Sequence, residues 1–106
     1  MRDRIWHLID LPLPLHQGVL TEYSAGGKVI GLLQKGKALY AFSATCPHAG
    51  APMCAGFIDA QGKIACPLHG YRFDPRTGHN TSGEGYKLRT FPVEIRAAGT
   101  FVGLPG

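Results

Sequence analysis

Two short segments of this chain use the same residues in the same order: Cys46-Pro47-His48 and Cys66-Pro67-Leu68-His69. Each presents one thiol and one imidazole around a stiff proline, and 17 residues separate His48 from Cys66. Thiolates are soft donors and imidazoles borderline ones, so two such pairs converging from two loops would make a metal site. Spacing alone leaves the metal open. Two Cys and two His form a tetrahedral zinc site, but in the usual zinc finger each knuckle supplies like ligands. Here each knuckle is mixed, which suits a dinuclear iron–sulfur centre with both thiolates on one iron and both imidazoles on the other. The remaining histidines, His7, His16 and His79, show no ligand-like spacing. Cys54, six residues beyond His48, reads as a small, partly buried thiol rather than a ligand. An odd cysteine count without a matched extra pair fits a reducing compartment.

Such loops have to be carried by something rigid, and the composition says what. Gly and Pro make up 23 of 106 residues, and no stretch longer than the first 11 residues lacks both. A helical bundle is therefore excluded in favour of short strands and turns. Ile5 to Ile9 reads as a first strand, and Leu11 to Leu15 as an edge segment that tolerates Pro12 and Pro14. Lys28–Gln34 and Ala38–Thr45 flank Lys35-Gly36-Lys37 and should pair as a hairpin. Ile64–Cys66, Tyr71–Asp74, Lys87–Arg96 and Thr100–Leu104 complete an expected set of roughly eight or nine strands in a small antiparallel sandwich or barrel. The net charge of +4 is scattered, with no two basic residues adjacent, so no nucleic-acid surface is expected. Ala38 to Ile58 lacks charged residues over the length of a bilayer span, but its prolines, glycines and polar residues make it a binding loop instead. The start of the chain lacks the apolar run of a secretion signal, so a cytoplasmic protein without a membrane partner is expected.

With these residues in view, the chain resembles the Rieske family. Cys46-Pro47-His48-Ala49-Gly50-Ala51-Pro52-Met53 and Cys66-Pro67-Leu68-His69-Gly70-Tyr71-Arg72-Phe73-Asp74 are similar to its paired motif and flanks, with Thr77-Gly78 and Phe91-Pro92-Val93 following. The resemblance implies one all-β domain over residues 1–106, an antiparallel base with a cluster-binding subdomain inserted at about residues 45–75. It implies one 2Fe-2S cluster, with Cys46 and Cys66 on the inner iron and His48 and His69 on the outer one. Pro47, Gly50, Pro52, Leu68, Gly70 and Tyr71 would frame the exposed exit.

Departures from the high-potential members refine the expectation. Their additional disulfide is impossible here, because Ala51 and Leu68 stand at its positions. Their hydroxyl donors toward the cluster are replaced by Tyr71 and Phe73, and fewer hydrogen bonds to sulfur lower the potential. Where relatives often place a covering proline, this chain has Asn80 to Gly85, which predicts weaker shielding and greater mobility. Four protein ligands leave no open coordination position, so one-electron transfer rather than bond chemistry is implied. The expected role is that of a stand-alone ferredoxin between a flavin-dependent reductase and a terminal oxygenase. Three alternatives stand beside it: the small subunit of an assimilatory nitrite reductase, a zinc-stabilised interaction module, and an oxygenase fragment. The last is disfavoured by the chain's own closing strand, Thr100–Leu104.

Overall fold

Ile30 to Gln34 is buried at five successive positions. Because side chains alternate across a strand, such a run must be covered on both faces. The computed structural model, which describes residues 4–47, 50–68, 70–83 and 85–105, shows how. Strands β1 (Arg4–Leu8), β2 (Leu20–Ala25), β3 (Lys28–Lys35) and β4 (Ala38–Ser43) are followed by a single 3₁₀ turn, Met53–Ala55. Then come β5 (Phe57–Ile58), β6 (Ile64–Ala65), β7 (Arg72–Phe73), β8 (Thr90–Phe91), β9 (Val93–Arg96) and β10 (Gly99–Pro105). They form three antiparallel sheets, ordered β2-β3-β4-β8, β1-β10-β9 and β5-β6-β7.

The four-stranded sheet has a hydrophobic core on each face. Ile30, Leu32 and Ala41 meet Val102 and Leu104 of β10 in the first. Leu33 and Phe42 enter the second, which also holds Met53, Ile64, Phe73, Leu88, Cys46 and Cys66. The alternation within β3 and β4 thus sends neighbouring side chains to different layers. Gly31 lies opposite Phe42, and a Cβ there would stand 2.2 Å from the ring, so the missing side chain makes room for the aromatic one.

The predicted β3–β4 hairpin is present, with Lys35 paired to Ala38. Leu11–Leu15, expected as an edge strand, is not one. It crosses the molecule as an irregular segment whose Leu11 and Leu15 pack on the first core, while the Leu15 N–H is satisfied by the Gln34 side chain at 3.2 Å. The strand preceding β3 is instead Leu20–Ala25, whose mixed composition carries little periodic signal. Lys87–Arg96 also divides: β8 joins the four-stranded sheet and β9 the three-stranded one, with Pro92 between them. Proline has no N–H to donate to a ladder, which suits the crossing point.

Gly78 closes the turn after β7 and joins it to the rest of the chain. Its N–H donates to the Asp74 carbonyl at 2.7 Å, and its own carbonyl accepts from Leu88 at 2.8 Å. Its φ is +78°, and an added Cβ would lie 1.7 Å from the Leu88 oxygen. Left-handed backbone costs about 1–2 kcal/mol for an L residue, and overpacking about 1–3 kcal/mol. Gly78→Ala is therefore expected to lose about 3 kcal/mol in a denaturant titration, whereas a loss under about 0.5 kcal/mol, the scale of a neutral surface change, would contradict this packing.

Candidate metal centre

The two knuckles are built alike. After β4 the chain forms a bridge between Thr45 and Pro52, and the Cys46 N–H donates to the Ala51 carbonyl at 2.8 Å. After β6 the Cys66 N–H donates to the Tyr71 carbonyl, also at 2.8 Å, just inside the Ala65–Arg72 pair of the β6–β7 hairpin. Each closure encloses four residues, Pro47 to Gly50 and Pro67 to Gly70, beginning with Pro and ending with Gly. Gly50 and Gly70 both have φ +69°, a conformation that favours residues without a Cβ. The sequence reading placed Gly50 and Gly70 at the exit but did not connect them as glycines standing four residues after each cysteine. That repeated spacing was the available signal.

Cys46 and Cys66 are buried at 2% and 1% exposure in the same core. Neither is in a disulfide. The two thiols hydrogen-bond to each other, and the Leu68 N–H donates to the Cys66 sulfur. Burial chiefly raises the Cys66 pKa, the neighbouring Cys46 thiol adds to this, and the Leu68 N–H opposes it. A metal ligand has to give up its proton, so these buried thiols need positive charge brought to them. Pro47, Gly50 and Leu68 are exposed within a few residues of each buried sulfur, and each loop thus runs from core to surface. His48 and His69 lie outside the described residues. Among the described residues no three metal-ligating side chains gather at one place. The buried thiol pair, with a backbone N–H aimed at one sulfur and two matched loops around it, fits the inner half of an iron–sulfur site.

Cys54 belongs to the 3₁₀ turn and packs half-buried against the second core. Burial, and secondarily the Glu22 carboxylate, push its thiol up to about 11. It is almost wholly protonated at neutral pH and thus a poor nucleophile. A cavity of about 340 Å³ is lined by Leu39, Phe91, Pro92 and Ile95 among others, and neither knuckle lines it.

Two carboxylates brace the region. Asp59 accepts the N–H groups of Gln61 and Lys63, both at 2.9 Å, and pairs with Arg72 at 3.1 Å. Burial acts to raise its pKa, but the two N–H groups and the Arg72 guanidinium outweigh it and hold the carboxyl below its ordinary value. Asp74 is likewise lowered: burial is opposed by the Arg76 N–H and by Lys63 and Arg76, whose nitrogens lie 3.6 and 3.7 Å away. Both groups are ionised throughout the neutral range.

Asn80 to Ser82, the first half of the Asn80 to Gly85 segment expected to be loosely attached, are stitched to β7. Asn80 bridges Phe73 and His79 bridges Lys87. The Thr81 N–H donates to the Arg72 carbonyl at 2.9 Å, and the Arg72 N–H to Ser82 Oγ at 3.0 Å. Further on, Tyr86 sets its ring 5.9 Å from Tyr71 while 41% exposed. This aromatic lies beside the anticipated exit and was not singled out from sequence.

Comparison with known proteins agrees with this geometry. Residues 5–92 match the model of the Rieske [2Fe-2S] domain, and the chain belongs to that family, whose cofactor is one Rieske 2Fe-2S cluster. It is 32% identical over 78 residues to the 3-phenylpropionate/cinnamic acid dioxygenase ferredoxin subunit of Escherichia coli strain K12, covering 73% of this chain and 74% of that one. The ferredoxin of carbazole 1,9a-dioxygenase from Nocardioides aromaticivorans IC177 superposes with a TM-score of 0.78 at 29% identity, covering 98% and 99% of the two chains. A structure of reduced oxygenase in complex with oxidised ferredoxin, also from carbazole 1,9a-dioxygenase, gives 0.74 at 26% identity, covering 92% of this chain and 99% of that one.

Proposed function

We propose that this chain is a one-electron carrier, the ferredoxin component of an oxygenase system, taking electrons from a flavin-dependent reductase and delivering them to a terminal oxygenase. The observation that carries this reading is the buried Cys46–Cys66 pair held in matched surface loops of a chain whose relatives are dioxygenase ferredoxins. That likeness favours the carrier over a nitrite reductase subunit, and the family's cofactor displaces zinc. Cys46 and Cys66 hold the inner iron, and His48 and His69 the outer one. Residues 1–106 act as one Rieske domain, with residues 45–75 as its cluster-binding part. The bound cluster supplies reversible one-electron chemistry.

The protein's own residues perform the rest. The second core excludes water from the two thiols, because Phe73, Met53 and Ile64 around them are completely buried. Pro47, Leu68, Tyr71 and Tyr86 present a partly apolar surface at the same end, suited to brief docking with a partner. Among the described residues no helix is long and apolar enough to cross a membrane. The odd cysteine count suits the cytoplasm.

Phe73 offers no hydroxyl to the site, and neither Ala51 nor Leu68 can form a disulfide. The reduced state thus lacks a hydroxyl donor at position 73 that would help stabilise its added negative charge. A redox titration is expected to show a one-electron midpoint toward the low end of the Rieske range of about −150 to +300 mV. A value above about +100 mV, in the upper part of that range, would contradict the low-potential assignment.

A further inference from the structure

Arg72 makes more connections than an ordinary surface cation. Its Nε meets Asp59 Oδ2 at 3.1 Å, and its Nη1 donates to the carbonyl of Gly70. The guanidinium carbon also lies 5.3 Å from the centre of the Phe57 ring. One planar fork therefore joins β5, the turn after it and the last residue of the second knuckle. Its main chain takes hold of a fourth segment through Thr81 and Ser82. Gly70 is fitted to the same contact: an added Cβ there would lie 3.1 Å from Arg72 Nη1. An exposed ion pair alone contributes about 0–1 kcal/mol, but Asp59 is itself fixed by two backbone N–H groups and the guanidinium has three different partners.

We infer that Arg72 is a positioning residue for the second knuckle, holding the Gly70 carbonyl, one residue after His69 in the chain, against the Asp59 anchor. This inference rests on reading His69 as a ligand. Asp59 balances the charge of Arg72, so the effect is geometric: it depends on a rigid fork that reaches two acceptors at once, which a lysine ammonium on a flexible stem cannot reproduce. Outer partners that orient metal ligands typically affect metal retention by about 10–100-fold.

The test compares cluster release to an iron chelator and the reduced-state electron paramagnetic resonance signal in the holoprotein, Arg72→Lys, Arg72→Ala and Asp59→Asn. Arg72→Lys is expected to release its cluster about tenfold faster or more and to give a shifted or broadened signal. Asp59→Asn is expected to change both in the same direction, and the double variant to add little to Arg72→Lys, since both act through one contact. If Arg72→Ala does not accumulate as folded protein, Arg72→Lys decides the matter. A lysine variant with wild-type release and signal overturns the role of Arg72 while leaving the cluster reading intact. A wild-type protein without iron overturns the cluster reading itself.

Discussion

Cys66→Ala, purified without oxygen, is expected to be colourless and to give no electron paramagnetic resonance signal on reduction. Cys66 is 1% exposed and hydrogen-bonded to the Cys46 thiol, so alanine removes one of the two sulfurs that can hold the inner iron. No described residue stands by to replace it: Cys54 is the third cysteine, and it sits in the 3₁₀ turn with its proton firmly held. The effect should therefore be loss of the cofactor rather than a weakened site. Cys46→Ala is expected to behave identically, and Cys54→Ala to retain colour and signal. Retention of the wild-type reduced signal by Cys66→Ala would remove that residue from the ligand set.

Phe42→Ala should be the most damaging of the simple truncations in the base. Phe42 is completely buried in the core that also holds both thiols, and its ring occupies the space left by Gly31. Nothing nearby can fill the gap without moving a sheet, so the expected cost is about 3–5 kcal/mol. That is a large share of the about 5–15 kcal/mol of a typical domain. β4 runs straight into the first knuckle, and the variant should also lose its cluster faster than wild type. Ile95 provides the contrast: it is 79% exposed, and Ile95→Ala should fall within about 0.5 kcal/mol of wild type. Equal denaturation midpoints for the two variants would refute the placement of the second core.

The site was more legible in the sequence than the layers beneath it. The two segments that each carry Cys, Pro and His in that order are local, and the chemistry of their donors limits what they can hold. The β3–β4 hairpin was also local, since Lys35-Gly36-Lys37 between two apolar runs leaves few alternatives. β2 escaped because Leu20 to Ala25 alternates apolar, hydroxyl, acidic and aromatic residues, and its strand conformation is fixed by pairing along its own full length with β3. Leu11–Leu15 misled for the converse reason: apolar alternation marks residues that face a core, and Leu11 and Leu15 do so without any ladder to join. The two-core arrangement depends on which face of β3 meets which sheet, and periodicity cannot choose between two apolar faces. The Arg72–Asp59–Gly70 contact was invisible because it joins a side chain to a carboxylate 13 residues away and to a backbone carbonyl.

The most direct measurement is quantification of iron, acid-labile sulfide and zinc in anaerobically isolated protein, with a reduced-state electron paramagnetic resonance spectrum of the same sample. A Rieske 2Fe-2S protein should give two irons and two sulfides per chain and, on one-electron reduction, the rhombic signal of a mixed thiolate–imidazole cluster. A colourless protein with one zinc per chain and no sulfide, the composition of a tetrahedral structural site, would contradict it.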